Sequence, residues 1–90
     1  MNTNKTPPDY EEFRAAVEKE LIPLIKTLRE RYDGPTAKEY MESDECSRII
    51  KERYALDLEK YNSGAITKRA FLGDAAYSVA MCLSLMYDGD

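Results

Sequence analysis

The first third of the chain carries one apolar stripe at helical spacing, and this stripe limits the fold more than any other feature. Its members recur at steps of three and four residues: Tyr10, Phe13, Val17, Leu21, Leu24, Leu28 and Tyr32. Such steps place all of them on one face of an α-helix. The stripe continues in phase past Pro23, which removes one backbone hydrogen bond. We therefore predict one long helix that is kinked at Pro23 rather than two helices.

Capping residues predict where the later helices begin. Thr36 and Glu39 form the capping-box pattern T-x-x-E, and Ser43 is a second N-cap residue soon after. Residues 37–42 are therefore either a short separate helix or the first turns of a longer one. Thr67 is placed to cap the last helix.

The pattern as a whole predicts an all-α fold. Apolar residues between positions 44 and 61 again recur at helical steps, and no segment alternates as a β-strand does. A chain of 90 residues is one domain at most. We expect a compact bundle of three main helices over residues 1–90, in which residues 1–6 are flexible.

The last helix has no charge on any face over the run Ala75–Tyr87, AAYSVAMCLSLMY. About 20 apolar residues are needed to span a bilayer, so this shorter run predicts a core helix and no membrane contact. A helix that is apolar all round is central to its domain or forms half of a subunit interface. In the second case a homodimer would pair through Ala76, Val79, Leu83 and Met86.

Composition excludes several kinds of chemistry. The chain has no histidine, so it lacks the commonest general base and metal ligand, and we expect neither an enzyme nor a cofactor. The net charge of −4 disfavours direct binding to nucleic acid. Cys46 and Cys82 lie in apolar surroundings and are expected to be free thiols. The N-terminus lacks the apolar stretch of a signal peptide, which predicts a cytoplasmic protein.

The densest charged feature is an acidic group with one aromatic residue in it: Glu39, Tyr40, Glu42, Asp44 and Glu45. One interpretation is a solvated surface with acids at helix N-termini. The other is a recognition patch for a basic surface of a protein partner, in which Tyr40 is an exposed contact residue.

Lys68 and Arg69 form a possible secondary contact. They place two cations in the first turn of a helix, against the helix dipole. Such a local conflict hints at a functional role. The alternative interpretation is that both pair with acids on the preceding helix.

The acidic group also allows a metal-site alternative. Glu39 and Glu42 form an E-x-x-E motif, and Asp74 lies in a later helix of the form FLGDAAYSVAMCLSL. This combination resembles part of the all-α nucleotide pyrophosphohydrolases (MazG-like), which pair E-x-x-E with E-x-x-D to hold magnesium. The resemblance implies Glu39, Glu42 and Asp74 as ligands. Phe71 stands where that family has a glutamate, so one ligand is missing.

These observations favour a small acidic protein without enzymatic activity, which binds and covers a macromolecular partner as an inhibitor or adaptor. Compact acidic helical proteins of this size are common among phage and mobile-element products, including immunity proteins and anti-CRISPR-type inhibitors. That analogy is to a class only. Two alternatives stay open: a magnesium-dependent nucleotide pyrophosphohydrolase, and a self-associating structural or assembly protein.

Overall fold

The computed structural model describes residues 6–31 and 34–87, and in these ranges the chain is helical without any strand. Helix α1 spans Tyr10–Arg31, α2 spans Ala37–Met41, α3 spans Asp44–Asn62 and α4 spans Lys68–Tyr87. The predicted all-α bundle of three main helices with one short extra helix is confirmed. Tyr32 and the first five residues of the predicted flexible segment lie outside the described residues.

The three long helices run up, down and up. Near the starts of α1 and α4, the ring of Phe13 lies 5.5 Å from that of Phe71. Tyr54, in the second half of α3, contacts both rings at this end of the bundle. At the other end Tyr40 of α2 reaches Leu83 late in α4. Helices α1 and α4 are therefore parallel, and α3 is antiparallel to both.

The core lies between these helices, and the stripe predicted for α1 contributes Phe13, Val17 and Leu21 to it. Beyond Pro23 the buried residue is Ile25, which was not predicted, while Leu24 and Leu28 are partly buried against the core. The buried apolar side chains come from every helix: Phe13, Val17, Leu21, Ile25, Ala37, Met41, Cys46, Ile50, Phe71, Ala76, Val79, Ala80 and Leu83. Helix α1 is continuous through Pro23, whose ring is exposed, while the bend itself stays a prediction. One face of the continuous helix α1 thus forms the central part of the core.

Three side-chain caps begin the helices at the predicted residues. The backbone N–H of Glu39 donates to Thr36 Oγ1 at 3.2 Å, and that of Thr36 donates to Glu39 Oε1 at 3.0 Å. Ser43 caps α3, and Thr67 caps α4. Because Ser43 starts a new helix, residues 37–41 form a separate short helix, and the acidic group sits at a sharp connection.

Helix α4 contains a π-helical turn that the sequence did not predict, at Phe71–Ala75. In a regular α-helix, residues five positions apart differ by about 140° around the axis. The wider i→i+5 turn brings such residues close to one face. Phe71 and Ala76 are both fully buried because this turn aligns them toward the core.

Candidate functional site

Four carboxylates stand together in sequence at the connection between α2 and α3. We call Glu39, Glu42, Asp44 and Glu45 the acidic elbow, and all four are exposed. Within residues 6–31 and 34–87, the one ion pair joins two residues of α3 beyond the elbow. No described cation therefore lies within ion-pairing distance of the elbow, and its negative charge faces solvent.

Glu39 differs from the other three because it also holds the start of α2. The backbone N–H of Thr36 donates to its carboxylate, and this hydrogen bond lowers the pKa of Glu39 below its usual value. A substitution there would change both the surface charge and the helix cap. Glu42 and Glu45 make no such bond among the described contacts, so they are the cleaner positions for altering charge.

Tyr40 is not the exposed contact residue that the sequence predicted. Its side chain is half-buried, its hydroxyl donates to the Leu83 carbonyl at 2.9 Å, and its ring meets Tyr87 edge-on at 4.9 Å. Burial, followed by the nearby Cys46 thiol and the Glu45 carboxylate, raises the pKa of Tyr40. The phenol therefore ties α2 to the end of α4 rather than facing a partner.

The predicted dimer face on α4 is also corrected. Ala76, Val79 and Leu83 are fully buried inside the chain, and Met86 is half-buried. These residues pack in the core of one molecule, so they offer no face to a second copy.

The exposed side of α4 carries uncharged residues that were not among the predicted contact residues. We call Tyr77, Ser78, Met81, Cys82 and Leu85 the outer face of α4. Tyr77 is 45% exposed and Leu85 is 71% exposed. Exposed apolar residues at steps of four are typical of a contact surface. None of the five residues is charged, and the Arg53 guanidinium of α3 reaches the edge of this face, where it donates to Ser78 Oγ at 3.4 Å. The run has no charged residue that would have marked this side as the exposed one, and its serines, Ser78 and Ser84, do not distinguish the sides, since Ser78 is exposed and Ser84 is buried.

The outer face and the acidic elbow are neighbours. The hydroxyl of Tyr40, the residue that follows Glu39, donates to the carbonyl of Leu83, the residue that follows Cys82. Burial chiefly, and to a smaller extent Glu45 and Cys82, raise the pKa of Tyr40, in agreement with this contact. Carboxylates thus border an uncharged helix surface at this end of the bundle.

By length and composition alone, Lys68–Tyr87 could cross a membrane, with a mean hydropathy of 1.3 over its most apolar window. One third of that window is buried inside the chain. The core helix of a soluble protein passes the same test. In this structure the buried side of the helix contributes to the same core as α1.

The metal-site alternative is not assembled. Glu39 and Glu42 lie in and just after α2, which contacts α4 near Leu83. Asp74 precedes Leu83 by nine residues, or about 13 Å along a helix. In the ranges that the structure describes, no three His, Cys, Asp or Glu side chains are grouped so that they could hold a metal ion.

Lys68 and Arg69 are exposed at the start of α4. Neither lies within 4.0 Å of a carboxylate belonging to the described residues, so the expected pairing with acids of α3 is not observed there. Lys68 lines a shallow depression of about 590 Å³ at the turn between α3 and α4, together with Tyr61 and Gly64. This end of the bundle is opposite to the acidic elbow.

No known protein family, curated protein or solved structure matches the chain. The surface of the molecule places an exposed acidic elbow near the outer face of α4.

Proposed function

We propose that this protein is a non-enzymatic binding protein that covers a basic surface of a protein partner, as an inhibitor or adaptor. The observation that carries the proposal is the set of four exposed carboxylates in the acidic elbow. Because no described cation is close enough to pair with them, their charge is available to Lys and Arg residues of a partner.

The outer face of α4 supplies the apolar part of the proposed interface. Specific interfaces combine an apolar centre with a charged rim, and buried aromatic and apolar anchors carry most of the affinity. Fully burying a leucine side chain contributes about 1.5–3 kcal/mol. Leu85 is largely exposed in the free chain, so a partner that covers it would gain a large part of that energy.

The charge of the elbow selects the partner more than it strengthens binding. Exposed ion pairs contribute little free energy, but complementary charge speeds association and disfavours wrong partners. The same negative charge repels phosphates, so the proposal includes no direct contact with nucleic acid. It also includes no cofactor and no membrane contact, and it places the protein in the cytoplasm.

Reversing two charges of the elbow tests the proposal. We expect Glu42→Lys together with Glu45→Lys to abolish capture of the partner that the wild-type chain isolates from its native host. The variant should melt at the wild-type temperature, because both side chains are exposed. The measurement is binding of the purified partner, followed by biolayer interferometry at two salt concentrations.

The matched control is Glu11→Lys with Glu59→Lys, which makes the same charge change at exposed positions at the other end of the bundle. This control should bind as the wild type does. If both double variants lost partner binding equally, the cause would be the change in net charge rather than the elbow. If the elbow variant bound the partner as the wild type does, the binding site would lie elsewhere. A rise in melting temperature with added magnesium would instead favour the metal-dependent alternative.

A further inference from the structure

A groove of about 470 Å³ lies between the second half of α1 and α2. Its lining includes three apolar side chains, Ile22, Ile25 and Ala37. Ile25 and Ala37 belong to the core, but Ile22 is 51% exposed. An aliphatic side chain that is half exposed within a groove leaves apolar surface for another side chain to cover.

The rim of this groove is basic, in contrast to the rest of the molecule. Lys26, Arg29 and Lys38 line it, against the two acids Glu18 and Glu30, so cations exceed acids in a chain with net charge −4. None of the three cations lies within 4.0 Å of a carboxylate in residues 6–31 and 34–87. Among the residues that the structure describes, Arg29 donates one side-chain hydrogen bond, a long one of 3.4 Å to the Gly34 carbonyl.

We propose that the groove binds an acidic amphipathic segment of a protein partner. An apolar side chain of that segment would cover Ile22, and carboxylates on either side would pair with Lys26 and Arg29 on α1 and with Lys38 on α2. Charge complementarity selects acidic over basic segments. The apolar surface of Ile22 and the acids Glu18 and Glu30 disfavour nucleic acid, whose phosphates need an uninterrupted basic surface.

This site shares no residue with the acidic elbow, although Arg29 of the groove contributes to the lowered pKa of Glu39. The variants that test the groove therefore change Ile22 and Lys26, so that the groove can fail without the elbow. Selecting random peptides displayed on phage against the full chain tests the groove directly. We expect enriched peptides in which Asp or Glu flanks Leu, Ile or Phe. We further expect Ile22→Ser with Lys26→Glu to weaken the best synthetic peptide by about tenfold or more.

The chain offers a closely matched control in Leu56→Ser with Lys60→Glu. Leu56 is 54% exposed, and Lys60 follows it by four residues on α3 just as Lys26 follows Ile22 on α1. The control should bind the peptide within about twofold of wild type. Thermal melts of both variants check that each is folded.

Three outcomes would overturn the proposal. The first is that no peptide is enriched, or that the enriched peptides are basic. The second is that both double variants lose binding equally. The third is that the groove variant loses binding of decanoate, used as a probe for small amphipathic carboxylates, while acidic peptides do not bind the wild type. That last result would assign the groove to a small ligand.

Discussion

Tyr40 and Asp57 both carry a polar group into the protein, but the fold provides a partner for only one of them. The Tyr40 hydroxyl donates to a backbone carbonyl, which offsets the cost of removing it from water. Asp57 is 3% exposed, and its Oδ2 atom has no hydrogen-bond partner within residues 6–31 and 34–87. A buried charged group without a partner costs stability, so Asp57 is a weak point of α3.

We expect Asp57→Asn to raise the stability of the protein. The substitution keeps the shape of the side chain and removes the buried charge, which should add about 1 kcal/mol to the free energy of unfolding. For a domain of this size the melting temperature should rise by roughly 4–8 °C. Differential scanning calorimetry measures this change.

The exposed substitution Asp74→Asn serves as its control and should leave the melting temperature unchanged. A clearly lower melting temperature for Asp57→Asn would show instead that the Asp57 carboxylate is a required hydrogen-bond acceptor.

Tyr40→Phe should destabilise the protein in a manner that depends on pH. At neutral pH the loss of the hydrogen bond to Leu83 should cost about 1 kcal/mol. Burial raises the pKa of Tyr40, so the folded state holds the phenol proton more tightly than the unfolded state does. That contribution is complete below pH ~10, the ordinary value for tyrosine, and falls as the pH rises further.

The difference in stability between wild type and Tyr40→Phe should therefore shrink above pH ~10. Urea unfolding between pH 8 and about 11.5 measures it. Tyr77→Phe, on the outer face of α4, is the matched control. A difference that stays constant with pH would contradict the assignment of Tyr40 as a buried proton donor.

At the scale of elements, the π-helical turn of α4 decides which residues reach the core. It accommodates one residue more than a regular turn between Phe71 and Ala76, and both are buried. Gly73 lies within this turn, and no heavy atom is close to the position that a β-carbon would take there. The residues after the turn face the core on the same side as Phe71 only because this extra residue is present.

Deleting Gly73 should therefore leave the fold intact. Phe71 and Ala76 would become four residues apart and would share one face of a regular α-helix. Deleting Ser78 instead should abolish cooperative thermal unfolding, because it rotates Val79 and Leu83 by about 100° out of the core. Circular dichroism melts of the two deletions compare these outcomes. If both deletions abolished cooperative unfolding, the π-helical turn itself would be needed for the fold.

The sequence predicted the helices well because caps and turns are local. Thr36, Ser43 and Thr67 each bond backbone groups within three residues, so no knowledge of the fold is needed to find them. The phase of α4 was not predictable in the same way. Its run without charge does not show which side is exposed, so Ala76 and Leu83 were candidates both for the core and for a subunit interface, and they lie in the core.

The whole molecule presents surfaces of unlike chemistry on a small bundle: the acidic elbow, the uncharged outer face of α4, and the groove with a basic rim. The elbow was predictable because its carboxylates are close in sequence. The groove was not, because Ile22 lies off the stripe of α1 and meets Ala37 only when α2 folds back. Tyr40 was misjudged since its neighbours in sequence are acids, whereas its ring packs on Tyr87.

The outer face of α4 should support only weak self-association. The outer face spans residues 77–85, or about 12 Å along the helix, too small a face for the ~800 Å² that each partner of a stable complex buries. We expect a monomer at micromolar concentration, with association only in concentrated solution. Leu85→Lys should remove that association, because it brings like charges together. Sedimentation velocity at two concentrations tests this, and a stable dimer in both wild type and variant would contradict it.

The two cysteines differ in a way that has a practical use. Both are free, but Cys46 is buried and only Cys82 is exposed. A maleimide dye should therefore attach at one position of the natural chain, without any engineered thiol. That position lies on the outer face of α4 and near Glu45, so the dye's emission would report directly whether a bound molecule covers this region.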